Sequence, residues 1–124
     1  ELWRKLVGVG SQSAVGALTR LNNKQLGENA ELARLRQQFI GETLNIAAAL
    51  GWDLRADVDI AKVTGPAPPH RPSMLQDVLA RRPIEVEAQI GQLQAFGREA
   101  GVLTPVIDVI LPLLRGLDRA LQER

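Results

Sequence analysis

Two glycines and a serine near the start of the chain offer the first chemistry to weigh. Lys5-Leu-Val-Gly8-Val-Gly10-Ser-Gln-Ser13 reads like a strand running into a phosphate-binding turn. A dinucleotide fingerprint needs a third glycine, at the position Ser13 fills, so that the backbone can approach a pyrophosphate. No β-α-β unit follows, so both glycines are expected inside a helix. Each then costs about 1 kcal/mol relative to Ala, a cost tolerated where another helix or a ligand comes close. His70 is the only histidine and has no Cys beside it, which makes no metal site. Ser73 precedes Gln76 by three residues, the spacing of a capping box, and such a helix start also attracts anions. Glu85 follows Pro83 closely, where a first helical turn favours a carboxylate. Glu87 faces another way and reads as solvated, and Lys5 taken alone reads as a surface lysine.

The elements that must position these side chains are helical nearly throughout. Leu2, Leu6, Val9, Ala14, Ala17, Leu18 and Leu21 form an apolar stripe on a first helix, which Asn22 and Asn23 interrupt. Leu26 belongs to a short extra turn. Leu32, Leu35, Phe39, Ile40, Leu44, Ala47 and Leu50 define a second helix, with Gly51 placed for a left-handed end. Val58, Ile60, Ala61 and Val63 suggest a shorter helix. The stretch Gly65 to Pro72 holds four of the seven prolines and reads as a stiff loop. Ser73 is expected to cap a helix carrying Leu75, Val78 and Leu79. Pro83 is expected in the first turn of the next, whose stripe is Ile84, Ala88, Gln89 or Ile90, Leu93 and Phe96. Gly101 stops it, Thr104-Pro105 starts the last helix, and Pro112 is expected to bend or divide that one. The fold class is an all-α bundle of six or seven helices.

The 124 residues make one domain, 45% hydrophobic and 23% charged, which excludes a disordered tail. A net charge of +1 and four aromatic residues exclude a nucleic-acid surface. No apolar run approaches the roughly 18 residues of a membrane span, no signal-peptide pattern opens the chain, and the absence of Cys is compatible with the cytoplasm. The start at Glu1 without a Met suggests a fragment.

Two blocks carry a family resemblance. Glu1-Leu-Trp-Arg-Lys-Leu6 is one; Ser73-Met-Leu-Gln-Asp77, followed by Arg82-Pro-Ile-Glu85-Val-Glu87 and Gly91, is the other. With Gly101-Val-Leu-Thr-Pro105 they resemble the C-terminal domain of the ketopantoate (2-dehydropantoate 2-) reductase family. The resemblance covers residues 1–124 and implies a bundle of the 6-phosphogluconate dehydrogenase C-terminal-domain type. It also implies an N-terminal Rossmann domain, absent from this chain, that binds NADPH, and a 2-oxo acid held between the two domains. Such an enzyme serves pantothenate and coenzyme A biosynthesis in the cytoplasm, and this domain alone is expected to be inactive. A homodimer is left open.

By the same resemblance, Lys5 is the general acid at the carbonyl oxygen. An ammonium withdrawn from water gives up a proton more readily. Glu85 is the acidic partner of the lysine and of the substrate hydroxyl. Ser73 binds the substrate carboxylate, and Asn23 matches an asparagine after the first helix. The sequence departs from the family where K-L-x-x-N-x-x-x-N places Val9 and Ser13 instead of two substrate-facing asparagines. The family's later Asn-Gly reads Ile90-Gly91. Buried polar contacts carry much of an enzyme's discrimination, so these changes point to another 2-oxo acid. The competing reading is a non-catalytic helical interaction or dimerisation module that keeps the fold.

Overall fold

The computed structural model describes residues 2–123, apart from the side chains of Leu2 and Arg4. The all-α expectation holds. Seven helices run in order: α1 (Leu2–Thr19), α2 (Asn23–Glu28), α3 (Ala30–Ala49), α4 (Ile60–Val63), α5 (Ser73–Leu79), α6 (Gln92–Ala100) and α7 (Pro105–Gln122). A 3-10 turn covers Arg55–Asp57, and a π-helical turn, Glu87–Gly91, leads directly into α6. Among the described residues no helix is long and apolar enough to cross a membrane.

Helix α1 is the central element and packs against α2, α3, α5, α7 and the π turn. It can touch so many neighbours because its buried face is small: Ser11, Ser13, Ala14, Val15 and Ala17 are all at most 2% exposed. Around that face sit Phe39 and Ile46 from α3, Met74 and Val78 from α5, Ile90 and Leu93 near α6, and Ile107, Ile110, Leu111 and Leu114 from α7. Each large aliphatic side chain buried there contributes about 1.5–3 kcal/mol. Trp3 adds a tilted ring contact with Phe96 at 5.5 Å between centroids, tying the start of α1 to α6.

The glycines of α1 lie inside a helix, as expected. A Cβ at Gly16 would stand 2.6 Å from Pro72 Cγ, so the proline loop crosses this helix closely, whereas Gly8 faces open space. A tighter approach occurs at Gly27 of α2, where a Cβ would run into the backbone carbonyl of Gly65. Backbone cannot swing aside as a side chain can. Gly27→Ala is therefore expected to cost about 1–3 kcal/mol, seen as a lower midpoint in thermal unfolding. Gly41→Ala in α3, with nothing within 4 Å of the added carbon, is expected to be neutral or to stabilise by about 1 kcal/mol.

Four local expectations need correction. The segment between α3 and α5 is a 3-10 turn and a one-turn helix instead of one short helix, because extended Val58 and Asp59 separate them and Asp59 caps Lys62 N. The N-cap of α5 is Pro72, not Ser73, and it makes no side-chain cap bond. Gln76 reaches back to the Arg71 carbonyl at 2.8 Å instead of closing a capping box with Ser73. Pro83 lies outside the helix that follows it, which begins at Val86, so Glu85 precedes that helix and is not in its first turn. Of the two outcomes expected at Pro112, division does not occur: α7 runs through it as one helix. Gly51 (φ 97°) and Gly101 (φ 72°) do take left-handed conformations at helix ends.

The start of α7 is held from two sides. The Glu42 carboxylate on α3 accepts Val106 N at 2.8 Å and Ile107 N at 3.0 Å. Asp108 accepts Gln94 Nε2 at 2.8 Å and Thr104 Oγ1 at 2.9 Å. The Gln94 bond first, then the Thr104 bond and the charge of Arg98, hold the Asp108 carboxyl below its ordinary value, against a smaller opposing effect of burial. A depressed folded-state pKa gives stability that is present above the unfolded value and lost as pH falls through the folded one. Wild type is expected to lose more stability than Asp108→Asn on titration below about pH 4, followed by denaturant unfolding at each pH.

Candidate active site

A cleft of about 450 Å³ lies between the first half of α1, the start of α5 and the chain from Glu85 into α6. Its walls are Lys5, Leu6, Val9, Gly10, Ser73, Glu85, Ala88, Gln89 and Gln92. A volume of this size suits a small metabolite. The α1 residues converge because positions 5, 6, 9 and 10 share one helical face. On the opposing side Ala88, Gln89 and Gln92 leave the π turn and the start of α6, and Glu85 stands just before that helix.

Lys5, Glu85 and Ser73 are exposed, while Val9, Gln89 and Gln92 are half-buried. Lys5 and Glu85 line the same cleft without forming an ion pair within 4.0 Å. They leave room between ammonium and carboxylate for a third group. Ser73 Oγ stands 3.3 Å from Ser13 Oγ. Ser13 is fully buried and lies behind the cleft wall, so it can fix the Ser73 hydroxyl but does not itself line the space. Val9 does line it and presents a branched alkyl wall.

Asn23 is not among the lining residues. Its backbone N–H donates to the His70 carbonyl at 2.9 Å, and its Oδ1 is buried without a hydrogen-bond partner. The cap of α2 is its neighbour Asn22, which accepts Gln25 N at 2.9 Å and receives the Gln25 side chain in return. His70 is exposed and contributes only that carbonyl to α2. Among the described residues no cluster could hold a metal ion. Glu87, expected as a solvated carboxylate, is exposed but clamped by Arg115 of α7 at 2.9 and 2.7 Å. The paired guanidinium holds the Glu87 carboxyl below the usual range.

Two lining residues had no role assigned from sequence: Gln89 and Gln92. The signal in the sequence is their nearness to Glu85, four and seven residues after it. A second hollow of about 400 Å³, lined by Val7, Gly8, Leu54 and the 57–63 segment, contains none of the candidate groups.

The family model described as "Ketopantoate reductase PanE/ApbA C terminal" matches residues 1–118. The 2-dehydropantoate 2-reductase of Mesorhizobium japonicum is 37% identical over 124 aligned positions, covering 94% of this chain and 36% of that protein. A solved structure of the dimeric ketopantoate reductase from Staphylococcus aureus superposes with a TM-score of 0.80 at 27% identity, covering 97% of this chain and 43% of that one. D-mandelate dehydrogenase, solved with NADH and anilino(oxo)acetate, shares the fold at a TM-score of 0.81 and 22% identity, covering 97% and 68%. The chain spans 36% to 41% of the length of the curated relatives it matches.

Proposed function

Because the chain belongs to the ketopantoate reductase C-terminal domain family, we propose that it is the substrate-side half of a cytoplasmic, NADPH-dependent reductase of 2-oxo acids. The observation that carries this reading is the meeting of Lys5, Ser73 and Glu85, from three separate segments, on one cleft. The glycine pair of α1 offers no dinucleotide site. Gly8 and Gly10 lie inside α1, so they form no glycine turn from which free N–H groups could cradle a pyrophosphate. In this reading the hydride that reaches the substrate carbonyl carbon is supplied by NADPH held mainly by an N-terminal Rossmann domain, as the family resemblance implies.

What this chain supplies is the proton and the grip. As charge develops on the carbonyl oxygen, the Lys5 ammonium donates a hydrogen bond and then its proton to that atom. The Ser73 hydroxyl, steadied by Ser13, donates to the substrate carboxylate. Glu85 faces the ammonium across the cleft and draws it toward the carbonyl oxygen. Lys5 is exposed in this domain, so water has to be displaced by a second surface over the cleft before these groups reach full strength. The isolated domain is expected to be inactive for that reason as well.

The substrate's substituent faces Val9, and Ser13 offers it nothing from behind the wall. This supports a 2-oxo acid other than ketopantoate, with an apolar flank. Assaying the full-length protein with NADPH against a panel of 2-oxo acids tests both levels. Reduction of at least one acid is expected, with kcat/KM for ketopantoate below about 10⁴ M⁻¹s⁻¹, the foot of the range enzymes show on their own substrates. Ketopantoate turnover well within that range would overturn the substrate assignment. Oxidation of NADPH with none of the acids would overturn the reductase reading in favour of a helical interaction module.

A further inference from the structure

The family asparagine of the second block corresponds to Ile90, and Ile90 is completely buried in the core. Its side chain cannot reach the cleft. The residue before it, Gln89, does reach it, and Gln92 stands three residues further along the same face. The two glutamines leave the π-helical turn Glu87–Gly91 and the first position of α6. π turns recur at functional sites, and this one opens the helix that continues as α6. Here it places Ile90 in the core while Ala88, Gln89 and Gln92 face the ligand space. Both glutamines are half-buried, and neither side chain has a hydrogen-bond partner among the described residues. Nothing else in the cleft wall, apart from Lys5, Ser73 and Glu85, is polar on its side chain.

We propose that Gln89 and Gln92 are the specificity-determining residues of the cleft. In this proposal they take over from α1 the recognition of a hydrogen-bonding group, such as a hydroxyl, on the substituent of a 2-oxo acid. The proposal rests on the reductase reading. When a substrate fills the cleft and excludes water, an amide left unpaired loses its solvation without compensation. An acid whose substituent carries a matching hydroxyl avoids that loss; its deoxy counterpart does not. The substrate class is thus a 2-oxo acid with an apolar flank toward Val9 and Leu6 and a polar group toward α6.

The test uses the full-length protein and two matched pairs: ketopantoate with 3,3-dimethyl-2-oxobutanoate, and 4-hydroxyphenylpyruvate with phenylpyruvate. Wild type is expected to favour the hydroxylated member of a pair it turns over by at least about 10-fold in kcat/KM, mainly through KM. In Gln89→Met/Gln92→Met, whose side chains keep their length, the ratio is expected to collapse to within about 3-fold, with KM for NADPH unaltered. The single variants Gln89→Asn and Gln92→Asn, which keep the amide, are expected to retain part of the preference. A wild type indifferent to the hydroxyl, a double variant that keeps the ratio, or a loss that falls equally on both members or on KM for NADPH would overturn this proposal alone. Reduction of none of the four acids, nor of any other in the 2-oxo acid panel, would overturn it together with the reductase reading.

Discussion

Replacing Lys5 with Ala is expected to lower kcat of the full-length protein by about 10²- to 10⁴-fold, the range a positioned proton donor contributes. KM should change far less, because the carboxylate contact proposed for Ser73 is untouched. The side chain is exposed and makes no ion pair with Glu85, so unfolding of the variant should stay within about 0.5 kcal/mol of wild type. Lys5→Arg separates charge from proton donation. A guanidinium keeps the positive charge but does not release a proton near neutrality, so this variant should recover little of the lost turnover. Full activity in Lys5→Arg would show that Lys5 acts only as a charge, and unchanged turnover in Lys5→Ala would remove it from the chemistry altogether. Steady-state oxidation of NADPH at saturating 2-oxo acid reads both.

The largest effect on stability is expected at Glu42. Helix α7 begins at Pro105, and Thr104 before it makes no side-chain cap bond. The free N–H groups of Val106 and Ile107 are bonded instead by the Glu42 carboxylate of α3. Glu42 itself is only 7% exposed. A charged acceptor at a helix N-terminus also opposes the positive end of the helix dipole. Glu42→Ala leaves both donors unpaired in a buried setting, and the cost is expected to be about 2–4 kcal/mol, above that of an ordinary exposed cap. Glu42→Gln keeps one acceptor oxygen and should lose roughly half as much. Denaturant unfolding checks the pair: a lower midpoint with an unchanged slope marks a loss of stability alone. Glu42→Ala within 0.5 kcal/mol of wild type would show that water replaces the carboxylate at no cost.

What could be read from the sequence, and what could not, divides along the range of the interactions. The stripe from Leu32 to Leu50 predicts α3, and Gly51, Gly101 and Pro105 mark helix ends, because each acts within a turn of its own backbone. Ser73 departs from its expected role as a cap for the complementary reason. Pro72 already occupies the cap position, and the Ser73 hydroxyl is turned to Ser13, sixty residues earlier in the chain. The region from Pro83 to Gly91 departs from expectation too. Its helix starts late and opens with a π turn, and the 3.6-residue pattern does not announce either feature.

The residue types at 5, 73 and 85 were determined by the sequence alone, as were the all-α class and the family resemblance. Only the tertiary structure decided that these three share one cleft, that Ser13 stands behind its wall while Val9 forms part of it, and that two glutamines complete the lining. It also decided that Glu42 is bonded to a helix more than sixty residues away. The physical reason is common to all of these. Spacing along one chain sets which side chains share a face, whereas the face that opposes it is chosen by how whole helices pack around the small residues of α1.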